Sequence, residues 1–262
     1  MKNVNGIRVY TAGDPANKPL VFIHGFPFSA AMWKKQIDKL KDNYYCVSYD
    51  IRGLGESEKG DGLFTMEMFV DDLFMIMDEL KLSKPVIIGL SMGGYILYRA
   101  IARNPERFSA AVICGSKPEA DGNDAKLKRA DAIKKINSVG AEAFIRDFIP
   151  TTFWSESIPV LGNEFTEFLN GLIFTPAGSL KGCQLAMAGR LDNTSALEKT
   201  ELPILFICGD YDTFSPPEVM KANAALCKNG KYVQIADAGH LAPFEKPDEV
   251  NAAILDFLKK PA

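Results

Sequence analysis

Hydrophobic residues recur along the chain with two alternating periods. Short runs at 20–23, 45–49, 85–89, 109–115 and 203–209 are almost wholly apolar, the pattern of strands buried on both faces. Between them lie stretches whose apolar residues fall three and four apart, predicting helices at 31–40, 66–80 and 93–103. In the second of these, Phe69, Leu73, Ile76 and Leu80 share one face. An Asn5-Gly6 pair between 2–4 and 7–11 predicts an N-terminal hairpin. Helix 217–227, strand 232–235 and helix 247–259 close the chain. Strands alternating with helices predict an α/β fold with a mostly parallel sheet flanked by helices.

The alternation lapses once, between Gly115 and Pro203. That stretch reads as helices only, at 125–139, 141–149, 164–173 and 180–190. It carries Phe144, Phe148, Phe153, Trp154, Phe165, Phe168 and Phe174, most of which are expected to pack it onto the core. The expectation is a core built from 1–115 and 202–262, with a helical cap at 116–201 over the C-terminal edge of the sheet.

The chemistry is concentrated at strand ends. Gly89-Leu90-Ser91-Met92-Gly93-Gly94 is a G-x-S-x-G directly after one predicted strand and before a helix. A sharp turn there lifts the serine into the open, and small neighbours let the backbone turn without clashes. A serine nucleophile needs a base, and the chain has only two histidines. His24 follows the strand at 20–23, and His240 lies in Asp237-Ala238-Gly239-His240, before the last helix. A base histidine needs a carboxylate partner, and Asp210 and Asp212 both follow the strand at 203–209. Asp212 is the choice because it lies deeper in the loop and precedes the rigid Ser215-Pro216-Pro217 turn. Asp210 is read as a carboxylate bonding local N–H groups. Two backbone N–H groups are expected to form the oxyanion hole, that of Met92 and that of Phe26, since Pro27 has none.

Five stretches together resemble the α/β-hydrolase superfamily: His24-Gly25-Phe26-Pro27, Asp50 to Ser57, Gly89 to Gly94, Gly209 to Asp212 and Gly239-His240. The resemblance runs from about Asn3 to Lys259. Within the superfamily it is to small esterases, enol-lactonases and cofactor-free perhydrolases. It implies the chain order nucleophile, acid, histidine, which His240 satisfies and His24 does not. His24 then reads as a residue that holds its loop, the Asp50 to Ser57 stretch as a structural turn, and Arg190 and Asp192 as structural. A serine at position 91 sets the chain apart from dehalogenases and epoxide hydrolases, which attack with a carboxylate. The implied enzyme is a serine hydrolase of esters, lactones or thioesters, with perhydrolysis as a side reaction. The alternative is a ligand receptor of the same fold that retains the three residues.

Composition alters this picture little. Hydrophobic residues at 47% and charged residues at 24% are ordinary for a globular protein, and a formal charge of −3 gives no reason to expect nucleic acid. No run approaches the ~20 apolar residues of a membrane span, and the N-terminus lacks a signal-peptide pattern, so membrane insertion is not expected and a cytoplasmic location is. The five cysteines show no C-x-x-C spacing and read as buried thiols. No metal cluster or dinucleotide fingerprint is present, so no cofactor is expected. Lys126, Lys128, Arg129, Lys134 and Lys135 form a basic run that would suit an acidic carrier protein or a CoA moiety. Asp131 interrupts it, and a solvated helix face explains it equally well.

Overall fold

The computed structural model describes residues 1–259. Residues 260–262, the end of the second expected core segment, lie outside the described residues. Eight strands form one sheet: β1 Lys2–Val4, β2 Ile7–Ala12, β3 Pro19–Ile23, β4 Tyr45–Tyr49, β5 Val86–Leu90, β6 Ala110–Cys114, β7 Ile204–Gly209 and β8 Gly230–Ile235. Their order is β1-β2-β4-β3-β5-β6-β7-β8. The β1/β2 and β2/β4 pairs are antiparallel and every later pair is parallel. The wholly apolar runs are the central strands, and every residue of β5, β6 and β7 is buried. At the edge, β8 keeps one fully buried residue, Ile235, because it has a neighbouring strand on one side only.

Twelve α-helices accompany the sheet among the described residues. In chain order α1 is Lys34–Leu40, α2 Met66–Glu79, α3 Met92–Arg103, α4 Asn123–Val139, α5 Ala141–Phe148 and α6 Ser157–Leu161. Then come α7 Asn163–Leu172, α8 Ala177–Ala188, α9 Thr194–Lys199, α10 Pro217–Leu226, α11 Ala242–Glu245 and α12 Pro247–Lys259. The Thr65 side chain accepts the Met68 N–H and starts α2, whose apolar face, including Phe69, Leu73 and Ile76, is buried.

Three details differ from the sequence expectation. The single helix expected at 31–40 is a 3₁₀ turn, Ala30–Trp33, followed by α1. The insertion between β6 and β7 holds six helices rather than four, the additions being α6 and α9. These have five and six residues, too few to show a 3.6-residue period. For the same reason α11, four residues with Pro243 inside it, left no pattern.

The insertion is fixed to the core by aromatic contacts. Phe168 packs on Phe28 and Phe244, and Phe153 on Phe244. Phe174 is the exception, 85% exposed. Arg190 donates to the Glu119 carbonyl, ion-pairs with Asp121 and lies 4.0 Å over the Tyr95 ring, tying the insertion to α3. Asp192 accepts the Thr194 N–H at 2.8 Å and so shapes the start of α9. Within the basic run Arg129 bonds Asp121, Lys134 bonds Asp131 and Lys135 bonds Asp147.

All five cysteines are free and buried. Burial pushes the Cys46 and Cys227 thiols up to about 12 and those of Cys114, Cys183 and Cys208 further still. A thiol reagent at pH 8 is therefore expected to label none of the five in the folded protein and all five in denaturant. Fast stoichiometric labelling of the native protein would contradict this packing.

Candidate active site

The β5–α3 turn sets the geometry of everything around it. Ser91 sits at φ 53°, ψ −113°, in the left-handed half of backbone space that only glycine enters freely. Its surroundings hold it there. The Ser91 N–H donates to the Cys114 carbonyl at 3.0 Å, and the Ser116 hydroxyl donates to the Ser91 carbonyl at 2.8 Å. Both partners flank Gly115, just past the end of β6.

The glycines around Ser91 are required by close backbone approach. A Cβ on Gly93 would lie 2.3 Å from the Ile23 carbonyl oxygen, and one on Gly94 would lie 2.4 Å from the Ser116 side chain. A Cβ on Gly25 would come within 3.2 Å of Ser91 Cβ. The β3 loop, His24 to Phe28, is thus pressed against the turn.

His24 is fully buried, accepts the Ile51 N–H on Nε2 at 2.9 Å and donates from Nδ1 to the Gly25 carbonyl at 2.8 Å. Burial pulls its pKa down, which keeps the ring neutral and Nε2 an acceptor. Its two nitrogens are both engaged in holding its loop. Asp50 organises the neighbouring turn, accepting the Ala30 N–H at 2.7 Å, the Glu56 N–H at 2.8 Å and the Tyr10 hydroxyl at 3.0 Å.

Asp212 and His240 form a buried pair, with Nδ1 at 2.9 Å from Oδ2 and 3.0 Å from Oδ1. A carboxylate only accepts, so Nδ1 carries the proton and Nε2 is the ring nitrogen not engaged by Asp212. Asp212 also accepts the Phe214 and Ser215 N–H groups at 2.8 and 2.9 Å, which locks the loop. Here the sequence reading of the two aspartates needs correction. The carboxylate bonding local N–H groups is Asp212, whereas Asp210 accepts from the Gln234 side chain on β8 at 2.6 Å. Asp210 follows β7 directly and stays beside the edge strand, while Asp212 is turned inward.

The pair reaches the serine through Gly115. A Cβ there would lie 2.8 Å from Asp212 Oδ2 and 2.9 Å from His240 Nδ1. Ser91 bonds the residues on either side of Gly115, and the Asp212–His240 pair touches Gly115 itself. Met92 is the first residue of α3, whose first intrahelical bond runs from Tyr95 N–H to the Ser91 carbonyl. The Met92 N–H therefore has no partner within the helix. Phe26 lies in the loop against the turn.

A line of rings closes this region. His240 packs on Phe214 at 4.9 Å, Phe214 on Phe148 at 6.0 Å, and Phe148 on Phe26 at 5.8 Å. Phe148 ends α5 of the insertion, so the insertion meets both the β3 loop and the acid loop at one residue. Phe148 is among the aromatics expected to pack the insertion onto the core, and its link between these two loops arises only from the packing of separate segments.

A mostly parallel sheet with its polar side chains gathered at the C-terminal strand ends defines a class of α/β enzyme. The alpha/beta hydrolase fold family matches residues 18–247, and the chain belongs to it. The structure of an esterase from Thermogutta terrifontis is 31% identical, with a TM-score of 0.91 over 97% of this chain and 93% of that one. A bromoperoxidase from Bacillus anthracis is 25% identical, with a TM-score of 0.88 over 97% and 95%. The 3-oxoadipate enol-lactonase 2 of Acinetobacter baylyi is 24% identical over 96% of this chain and 92% of its own. Among the described residues no helix is long and apolar enough to cross a membrane.

Gly93→Ala tests the close approach at the turn. Alanine favours a helix by ~1 kcal/mol over glycine. The contact here is with backbone of a central strand, which has no room to yield, so the clash wins. The expected net loss is about 1–2 kcal/mol, read as a lower urea midpoint with an unchanged slope. A midpoint equal to or above that of the parent would refute the close approach.

Proposed function

We propose that the chain is a serine hydrolase of an ester-type bond, whether carboxylic ester, lactone or thioester. Ser91 is the nucleophile, His240 the base and Asp212 its orienting carboxylate. The observation that carries this reading is the buried Asp212–His240 pair lying against Gly115, between the two residues that bond Ser91. In the first step His240 Nε2 takes the Ser91 Oγ proton as Oγ bonds the substrate carbonyl carbon. The carbonyl oxygen becomes an oxyanion facing the N–H groups of Phe26 and Met92. Collapse expels the alcohol, enol or thiol, which receives the proton from His240. Water then attacks the acyl-serine with His240 again as base, releasing the acid and restoring Ser91.

The helical insertion, 116–201, acts as a cap on the core formed by 1–115 and the described residues from 202 onward. Phe148, Phe214 and Phe26 then give the acyl side of the site an apolar wall. The esterase from Thermogutta terrifontis supports the ester reading. The bromoperoxidase from Bacillus anthracis favours a second one, in which hydrogen peroxide replaces water in the deacylation step and the product is a peracid. A panel of short, medium and long p-nitrophenyl esters and lactones, with and without peroxide, separates the two. Sustained turnover supports an enzyme, and a single stoichiometric burst would instead mark a receptor.

Ser91→Ala is expected to lower kcat on the preferred ester by roughly 10⁶ while leaving thermal unfolding nearly unchanged. A variant keeping a tenth of the parent activity would refute Ser91 as nucleophile.

The two aspartates are separated in the same assay. Asp212→Asn presents an amide to the imidazole, favours the wrong tautomer and is expected to cost about 10⁴ in kcat. Asp210→Asn keeps an Oδ1 acceptor for Gln234, loses only the charge of one exposed contact and should stay within about threefold of the parent. The reverse ranking would assign the orienting role to Asp210.

A further inference from the structure

Glu245 closes α11, five residues beyond His240, and the steps above make no use of it. Its carboxyl is buried. Oε1 accepts the Gly239 N–H at 2.9 Å, Oε2 accepts the Trp154 N–H at 3.0 Å, and the Ser157 side chain also bonds it. Gly239 immediately precedes the histidine, whereas Trp154 and Ser157 belong to the insertion. One carboxylate thus holds two parts of the chain that lie far apart in sequence.

The surrounding contacts converge on the same joint. The Leu241 N–H donates to the Thr152 carbonyl at 3.1 Å. A Cβ on Gly239 would lie 2.4 Å from the Trp154 nitrogen, so the two backbones are in direct contact. On the other side the Tyr211 N–H donates to the Ala238 carbonyl at 2.9 Å. The Trp154 ring stacks on Tyr211 with centroids 4.8 Å apart and planes 3° from parallel. The histidine loop is therefore gripped between the insertion and the loop that carries Asp212.

Only a carboxylate serves here. Two opposed N–H donors need an acceptor on each oxygen, whereas glutamine offers one acceptor and one donor. Among the described residues no basic side chain forms an ion pair with Glu245, and burial pushes its pKa up. A raised carboxyl pKa favours the fold at low pH, and that contribution is lost as pH rises through the folded-state value.

We propose that Glu245 is a positioning residue that couples the insertion to His240, so that the imidazole is correctly placed only when the 152–157 segment is seated. The inference rests on the ester-hydrolase reading of Ser91, His240 and Asp212. It implies that disturbing the insertion at this joint lowers turnover rather than substrate binding.

The test is Glu245→Gln, with Tyr211→Ala as a second variant that loosens the same segment and leaves the carboxylate in place. Glu245→Gln should lower kcat on a short ester by about tenfold with KM within about twofold of the parent. Tyr211→Ala should act in the same direction by about threefold. In both, the low-field proton NMR signal of the His240 Nδ1–H shared with Asp212 should shift or broaden. That signal needs no substrate. A purely structural Glu245 would lower the melting temperature and leave the signal and the kcat of folded protein untouched, overturning the proposal. If Glu245→Gln does not fold, an unchanged signal and kcat in Tyr211→Ala overturn it equally. A parent protein without esterase activity whose signal still moves in the variants would remove the proposed function and leave the coupling standing. An active parent with unaffected variants would do the opposite.

Discussion

Ser91 holds a backbone conformation that costs of order 1–3 kcal/mol for a residue with a side chain, and neighbouring elements exist in a form that enforces it. Its N–H donates to Cys114 at the end of β6 and its carbonyl accepts from Ser116 just beyond, which fixes its peptide groups on either side. Glycines at 93 and 94 let α3 start in contact with the end of β3 and with Ser116. Because β5 is central in the sheet, with β3 and β6 as its neighbours, strain at its end is borne by three strands rather than by a loop. A serine on an edge strand would have no such support on one side.

The loops around this turn have little regular structure, yet each is held by the same device. Asp50, Asp212 and Glu245 are buried carboxylates, and each accepts two backbone N–H groups from irregular segments. Satisfying main-chain donors in this way lets a loop be buried without a helix or strand to take up its polar groups. Asp212 differs from the other two in adding an imidazole to its partners. One acceptor motif thus serves three loops, and at Asp212 it also takes up an imidazole.

The strand and helix order was legible because the parallel core demands long apolar runs and the amphipathic helices repeat over several turns. The strand-to-helix turn at Ser91 and the pairing of His240 with Asp212 were legible because scarcity helped. Two histidines and two aspartates in the relevant loops left few choices. The reason given for Asp210 was wrong in detail, since sequence shows which loop a carboxylate occupies and not whether it turns inward or toward an edge strand. Glu245 left no signal of its own. Its partners are main-chain N–H groups, one of them about ninety positions away, and backbone donors look the same at every residue. Phe148 was visible as an aromatic in the insertion, but its contacts with Phe26 and Phe214 depend on how three separate segments pack.

The insertion leaves the core after β6 and returns to it at β7, and these two strands are neighbours in the sheet. Because the pair is parallel, with Cys114 beside Ile207 and Ala111 beside Ile204, the chain leaves at one end of the strands and returns at the other, roughly 10–20 Å away. A replacement segment would have to make the same crossover from one end of the strands to the other to leave the eight-stranded framework undisturbed. The histidine loop adds a second constraint. A replacement would need a main-chain donor where Trp154 stands and a carbonyl where Thr152 stands. Side-chain identity there is open to drift, while the path of the backbone is not. Variation around the site is thus easiest by changing rings on the existing helices, and hardest by replacing the helices themselves.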